Sequence, residues 1–133
     1  MIRSKKRNAV RQSFRRRGKR PLRWGRHLQK DEKGVRYMFV LLVRYKCKQG
    51  CRDRYYEAIR ENHIDELSLA EEGCIRYEYS FGVAEDELLL TEVWRDAEAI
   101  EVHKNSVHFA KLGELKAEYV ENTEFMKFSA EQV

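Results

Sequence analysis

The segment Cys74–Phe81 alternates apolar and polar side chains without interruption, which leaves little freedom in its local structure. One set of alternate positions is apolar and the other is polar: Ile75, Tyr77, Tyr79 and Phe81 against Arg76, Glu78 and Ser80. A period of two is typical of a β-strand with one buried face. Gly82–Asp86 contains turn-forming residues and Glu87–Trp94 is again largely apolar, so the two segments predict a β-hairpin.

The segments on either side of this hairpin predict a repeated order of strands and helices. Met38–Cys47 is rich in β-branched and aromatic residues and predicts a strand, and the apolar period of Arg52–Glu71 predicts one long helix that ends near Gly73. Two helical pieces and a last strand follow: Asp96–His103, Ser106–Tyr119 and Val120–Ser129. The order β-α-β-β-α-β predicts an α+β, ferredoxin-like fold, in which helices cover one face of an antiparallel sheet.

Apolar residues occupy both faces of the predicted strands. Val40 and Leu42 alternate with Leu41 and Val43 in the first strand, and the third strand has the same property. The helices cover only one face, so the other face requires a second cover. A homodimer that packs sheet against sheet would supply it.

The charge of the chain is divided unevenly between two regions. Residues 1–37 contain fifteen Lys and Arg and two acidic residues, whereas residues 38–133 contain twelve and twenty, within a formal net charge of +5. The first region has few apolar residues and no sustained period, so we expect a disordered basic tail before a domain that spans residues 38–133. Two explanations of the tail stay open: translation that truly starts at Met38, or an arm that binds nucleic acid.

Composition excludes several classes of protein. No run of apolar residues approaches the roughly 18 that a membrane helix needs. Three cysteines, an odd number, argue against a disulfide framework and predict a reducing compartment, so we expect a cytoplasmic protein. No glycine-rich phosphate-binding motif follows a strand, so we expect neither a nucleotide nor a flavin cofactor.

The residues suited to chemistry lie around the end of the third strand. Glu92 and Trp94 fall on one strand face, and His103 and His108 follow in the two helical pieces. His103 lies near a helix C-terminus, whose dipole favours imidazolium, and His108 lies in a first turn, where neutral imidazole is favoured. These opposite preferences suit a proton donor and a proton acceptor, provided that the chain breaks at Asn105–Ser106.

Each of these residues also has a purely structural explanation. Trp94 can be a core residue and Glu92 a paired carboxylate, and the two histidines have no evident third partner, so we predict no metal site. Tyr77, Tyr79 and His63 could add polar groups to the same cavity, although packing or surface positions explain them equally well.

Three stretches of the sequence together form a family pattern. They are Glu72–Tyr77 at the start of the second strand, Glu92–Asp96, and a His-x4-His-Phe pattern at residues 103–109. With these features the sequence from Met38 to about Phe128 resembles the antibiotic biosynthesis monooxygenase superfamily. The resemblance implies a dimeric α+β barrel, with a pocket between sheet and helices, that oxygenates quinols or polyketide quinones. It also implies that neither flavin nor metal takes part, because the substrate supplies the electrons.

Under this resemblance we expect a cofactor-independent monooxygenase of a small quinol-like or polyketide-like aromatic. Trp94 would bound the substrate ring, and His103 or His108 would remove a phenolic proton. Glu92 would orient a histidine. The expected partners are the aromatic substrate, molecular oxygen and a second copy of the chain, with no membrane and with nucleic acid only if the basic tail is genuine.

Two other activities of the superfamily have different residue requirements. Haem-degrading members carry a first-strand Asn, a Trp at the position of His103 and a haem-ligating His near the position of Gly113, and this sequence lacks all three. Isomerases of phosphorylated autoinducer-2 share an Asn-His pair in the first helix, here Asn62-His63, and the later His-x4-His. An isomerase that uses His63, His103 and His108 for proton transfer is the alternative function, and a non-catalytic small-molecule-binding module is a third.

Overall fold

The computed structural model describes residues 37–133, which form four strands and four helices. The strands are β1 (Tyr37–Cys47), β2 (Cys74–Phe81), β3 (Glu87–Trp94) and β4 (Val120–Glu131). The helices are α1 (Arg52–Glu61), α2 (Ile64–Leu69), α3 (Ala97–Lys104) and α4 (Val107–Tyr119). Residues 1–36 lie outside the described part, so what the sequence predicts for the basic tail stays a prediction.

The strands pair into one antiparallel sheet in the order β2-β3-β1-β4. In the middle of the sheet, Val43 of β1 faces Leu90 of β3 on one side and Phe125 of β4 on the other. Two helices follow β1 and two helices follow β3, so the element order is β-α-α-β-β-α-α-β. The predicted α+β, ferredoxin-like fold with an antiparallel sheet is confirmed.

The β2–β3 hairpin closes at the predicted turn. The N–H of Gly82 donates to the carbonyl of Glu87 at 2.9 Å, and Asp86 adopts a left-handed conformation with a φ of 59°. The Asp86 carboxylate accepts from the N–H of Gly50 at 3.0 Å, and Gly50 is left-handed too, with a φ of 73°. Glycine tolerates this conformation because it lacks a Cβ. The hydrogen bond between Gly50 and Asp86 joins the two loops at this end of the sheet.

The single helix predicted over Arg52–Glu71 is wrong, because this segment forms two helices. The side-chain amide of Asn62 donates to the carbonyl of Ala58 at 2.8 Å and closes the end of α1. His63 then takes a left-handed conformation, with a φ of 57°, that a right-handed helix cannot continue. The apolar spacing concealed this break because α2 starts at once with the buried Ile64.

The sequence predicted that Ile75 shares a strand face with Tyr77, and this is wrong, because Ile75 packs apart from the main core that contains Tyr77. The register of β2 on β3 shifts here, since Cys74 pairs with Trp94 but Arg76 pairs with Val93. Such a shift is a β-bulge, which redirects the inserted side chain. Ile75 consequently packs with Val93 in a small cluster apart from the main core.

The main core lies between the helices and one face of the sheet. Its largest fully buried side chains come from both layers: Trp94, Tyr55, Ile59, Ile64, Leu88 and Leu90. The opposite face of the sheet keeps Leu42, Met126 and Phe128 exposed, at 39%, 56% and 48%. None of the helices in residues 37–133 is long and apolar enough to cross a lipid bilayer.

Candidate active site

A break between two short helices brings His103 and His108 together. The Ser106 hydroxyl accepts from the N–H of Phe109 at 3.1 Å and donates to the carbonyl of His103 at 2.6 Å, so it ends one helix and starts the next. The break predicted at Asn105–Ser106 is therefore present. It leaves the two imidazole centroids 5.6 Å apart.

A carboxylate that the sequence did not single out joins the two histidines. Oε2 of Glu71 lies 2.6 Å from Nδ1 of His103 and 2.9 Å from Nε2 of His108. The sequence analysis expected Glu92 to orient a histidine. In the structure, the carboxylate of Glu92 instead accepts a hydrogen bond from Trp94. In the described part of the chain, the orienting contact to both imidazoles belongs to Glu71.

Close packing at Gly73 places Glu71 beside α3. A side chain at Gly73 would collide with the Cβ of Ala99, and the Gly73 carbonyl accepts from the N–H of Arg95 at 2.8 Å. Only a residue without a Cβ allows so close an approach of the two segments. Gly73, which the sequence predicts at the end of the first helix, therefore also positions Glu71 in the site.

The ionised form of Glu71 is favoured by its two imidazole partners. Burial raises the pKa of this carboxyl, but hydrogen bonds from His103 and His108 outweigh burial and hold the pKa below its ordinary value. An ionised carboxylate only accepts hydrogen bonds, so each ring presents an N–H to it. In the neutral rings, the lone pairs are then left on Nε2 of His103 and on Nδ1 of His108. Glu71 thus holds both rings in place with one negative charge.

Trp94 is fully buried beside this cluster. Its Nε1–H donates to Oε1 of Glu92 at 2.9 Å, and its ring centroid lies 4.7 Å from that of His103. Burial raises the pKa of Glu92, although the Trp94 hydrogen bond and the charge of His103 oppose the shift. Glu92 therefore fixes the indole, and the indole supports the imidazole.

Tyr77 and Phe109 complete an aromatic wall around His103. Their ring centroids lie 5.6 Å and 5.2 Å from that of the imidazole. The Tyr77 hydroxyl lies 3.2 Å from the hydroxyl of Tyr79, and burial raises the pKa of both phenols, so both stay neutral. Tyr77 is thus in contact with the cluster, and Tyr79 is joined to it only through Tyr77.

His63 lies apart from the other predicted site residues. Its left-handed backbone separates α1 from α2, and its Nδ1 lies 3.4 Å from Oε2 of Glu66. Within residues 37–133, this imidazole lies beside Glu66 and not in the Glu71 cluster. The Asn62-His63 pair thus serves as the helix break described above.

Glu71 and His108 are the more exposed members of the cluster. The side chains of Glu71 and His108 are each 14% exposed, compared with 5% for His103. A groove of about 340 Å³ lies elsewhere, on the sheet, and is lined by residues such as Leu42, Thr91 and Met126. This groove is lined by none of the residues Glu71, His103, His108 and Trp94. We place the candidate site at the histidine cluster, because the side chains suited to proton transfer lie there.

Together the fold and the site define an α+β ferredoxin-like domain with a buried acid–base cluster under its helices. The model of the family described as antibiotic biosynthesis monooxygenase matches residues 38–115, more than half of the chain, and the chain belongs to this family. The matched residues include the whole Glu71, His103, His108 and Trp94 group. Among curated proteins, none matches the chain.

Several solved structures have the same fold. A conserved protein of Bacteroides thetaiotaomicron, described as a possible oxidoreductase, is 30% identical with a TM-score of 0.63, over 70% of this chain and 97% of that one. A Nitrosomonas europaea protein, described as a candidate antibiotic biosynthesis monooxygenase, is 22% identical with a TM-score of 0.63, over 70% and 89%. A Shewanella oneidensis protein is 19% identical with a TM-score of 0.66, over 73% and 99%.

Proposed function

We propose that this protein is a cofactor-independent monooxygenase that oxidises a small quinol-like or polyketide-like aromatic with molecular oxygen. Membership of the family supports oxygenase chemistry in general. The observation that carries the finer proposal is the cluster in which Glu71 holds two imidazoles next to the buried ring of Trp94.

The first step is removal of a phenolic proton by one of the two imidazoles. Nδ1 of His108 is the better placed acceptor, because this side chain is more exposed than that of His103. The negative charge of Glu71 stabilises the imidazolium that forms. The phenolate left behind is electron-rich, which is the property that reaction with oxygen requires.

The oxidation balances without any added redox group. The substrate loses two hydrogens and gains one oxygen atom, while the other oxygen atom of O2 leaves with those hydrogens as water. All four electrons that reduce O2 therefore come from the substrate. The protein's part is to bind the aromatic ring, take the proton and exclude water, for which the rings of Trp94, Tyr77 and Phe109 are suited.

The proposal includes a homodimer formed through the uncovered face of the sheet. Leu42, Met126 and Phe128 project from β1 and β4 on this face, beside the groove described above. A second sheet packed on this face would bury these side chains, and an isologous two-fold contact is the commonest arrangement of soluble dimers. The proposal also places the protein in the cytoplasm, since all three cysteines are free.

Oxygen uptake tests the proposed activity directly. The full-length protein, freed of metal by a chelator and given no flavin, is incubated with a panel of quinols and polyketide-like phenols in an oxygen electrode. We expect uptake proportional to protein, matched by quinone product and lowered about 10² to 10⁴-fold by His108→Ala. Lys104→Ala, a neighbouring exposed change, should leave the rate unaltered. If no compound consumes oxygen faster with the protein than with His108→Ala, the proposal is wrong.

The isomerase alternative has less structural support. It requires His63 to act with His103 and His108. His63 instead lies between α1 and α2, beside Glu66. The rings of Trp94, Tyr77 and Phe109 around His103 suit an aromatic substrate, whereas a phosphorylated ketone calls for cationic partners. An isomerase would lose activity in the same histidine variants without consuming oxygen, so the oxygen electrode separates the two functions.

A further inference from the structure

Three side chains of the site converge as metal ligands do. Oε2 of Glu71, Nδ1 of His103 and Nε2 of His108 lie within 4.8 Å of one another. The sequence offered no third partner for the two histidines, and Glu71 is that partner. We propose that these three atoms bind a divalent transition-metal ion of the zinc class.

The donor set fits such an ion by its chemistry. Two imidazoles and one carboxylate are ligands of Zn²⁺ sites that have three protein ligands and keep a fourth position open. Imidazole also favours zinc, cobalt and copper over magnesium and calcium, which prefer oxygen ligands. The single negative charge of Glu71 lowers the cost of burying a dication.

The two distances to the carboxylate fit after a small adjustment, whereas the two ligand nitrogens, which lie within 4.8 Å of each other, have to approach to about 3.3 Å. Ligands about 2.0–2.1 Å from a tetrahedral zinc lie about 3.3 Å from one another. The present separations of 2.6 Å and 2.9 Å suit a shared proton in each contact. An ion would take the place of the hydrogens that face Glu71, so each neutral imidazole would change tautomer and carry its single hydrogen on the other nitrogen. The carboxylate would withdraw by roughly half an ångström.

The supporting contacts favour a preformed site. Trp94 stacks on His103, and the Ser106 hydroxyl holds the backbone carbonyl of the same residue. His108 lies in the first turn of α4, and its partial exposure gives an ion a path from solvent. His103 and His108 lie on helices, and Glu71 lies in the turn between α2 and β2. Packing and hydrogen bonds that fix the two imidazoles reduce the entropy that binding would cost.

A bound ion would oppose the proton transfer of the proposed function. The ion would occupy the imidazole nitrogens that face Glu71 and would neutralise the charge that stabilises imidazolium. Zinc should therefore inhibit cofactor-independent turnover, and a chelator should restore it. The metal site itself rests on the geometry of the cluster and does not depend on the proposed oxygenase activity.

Metal binding can be measured without any turnover. The full-length protein is stripped with a chelator and titrated with Zn²⁺ against a chromophoric competitor, and with Co²⁺ while the visible absorption is recorded. We expect one ion per chain and the intense Co²⁺ bands of four-coordinate geometry. His108→Ala and Glu71→Gln should each weaken Zn²⁺ binding at least tenfold, since even outer partners of metal ligands contribute about 10 to 100-fold.

Matched variants keep this test decisive. His63→Ala and Glu66→Gln alter the same residue types in a separate pair and should retain the ion. Circular dichroism identifies any variant that fails to fold, and the milder His108→Asn then replaces it. Absence of stoichiometric Zn²⁺ binding, or an equal loss of Zn²⁺ affinity in His63→Ala and His108→Ala, would show that the cluster is held by hydrogen bonds alone. Zinc binding together with no oxygen uptake by the chelator-stripped protein on any substrate would instead contradict the proposed function and leave the metal site standing.

Discussion

The indole of Trp94 lies against the imidazole of His103, with centroids 4.7 Å apart and planes inclined by 38°. Trp94 has no exposed surface, and His103 is only 4% exposed. The two rings therefore belong to the core and to the candidate site at once. In this arrangement Trp94 supports the imidazole of His103, and its predicted role of bounding the substrate ring stays a prediction.

Trp94→Phe should destabilise the fold by about 1–3 kcal/mol, because Glu92 would lose its buried hydrogen-bond donor. Replacing both partners with apolar groups removes that penalty, so Glu92→Leu should recover part of the loss when combined with Trp94→Phe. Urea unfolding of the two single variants and the double variant measures the coupling. Strictly additive losses would show that the cavity left by the indole, and not the orphaned carboxylate, is responsible.

Glu92 should make stability depend on pH in a predictable direction. Burial raises the pKa of Glu92 in the folded state, so the folded protein binds this proton more tightly than the unfolded chain does. The stability associated with the neutral acid is fully present below the unfolded pKa of about 4.3 and is lost as the pH rises through the folded pKa. Glu92→Gln should therefore become more stable relative to the wild type as the pH rises. A difference that stays constant from pH 4 to pH 8 would contradict the raised pKa.

The element order was predictable because each strand and helix carries its own period. The hairpin of β2 and β3 has the predicted bounds, since alternation and turn residues are local signals. The break at His63 was not predictable in the same way. An apolar residue stands on both sides of it at helical spacing, and a left-handed backbone at a histidine has no marker in the sequence.

The candidate site was predictable only in part, for a reason of distance along the chain. His103, His108 and Trp94 lie in one short stretch, so their strand face and helix break could be worked out locally. Glu71 meets the histidines across 32 and 37 residues. Its one local signal is its position two residues before Gly73, and the role of that glycine depends on the packing of Ala99.

Gly73→Ala should destabilise the protein by about 1–3 kcal/mol, because its Cβ would collide with that of Ala99. The change should also move Glu71 away from His103. Ala99→Gly removes the opposing atom and should partly rescue the variant in thermal unfolding. Gly113→Ala is the control: nothing lies near its Cβ position in α4, so it should stabilise the helix by about 0.5–1 kcal/mol. Equal effects of the two glycine changes would exclude the packing argument.

Leu42→Glu should convert the proposed dimer into monomers. The side chain lies on the uncovered sheet face, so a dimer interface there would bury the new charge without a partner. Light scattering of the full-length protein at micromolar concentration gives the mass. Val102→Glu places the same charge on an exposed position of α3 and should leave the dimer intact. A wild type that is already monomeric would rule out the sheet-to-sheet assembly.

Glu71→Gln should lower the kcat of the oxygenase more than it raises the KM. The carboxylate touches both imidazoles and stabilises the charge that develops on one of them during proton transfer, so its effect belongs to the reaction more than to binding. A glutamine can still accept a hydrogen bond but carries no charge, and we expect a loss of at least about tenfold in kcat. Steady-state oxygen uptake over a range of substrate concentrations separates the two constants.

Glu66→Gln is the control for this prediction, because Glu66 forms the other histidine–carboxylate pair of the described chain. It should leave both constants unchanged after correction for the folded fraction, which urea unfolding of each variant supplies. A positioning role for Glu71 also predicts that Glu71→Asp, a shorter side chain that keeps the charge, recovers part of the lost kcat. If Glu71→Asp is as impaired as Glu71→Gln while both variants are fully folded, the charge is not the property that matters at this position.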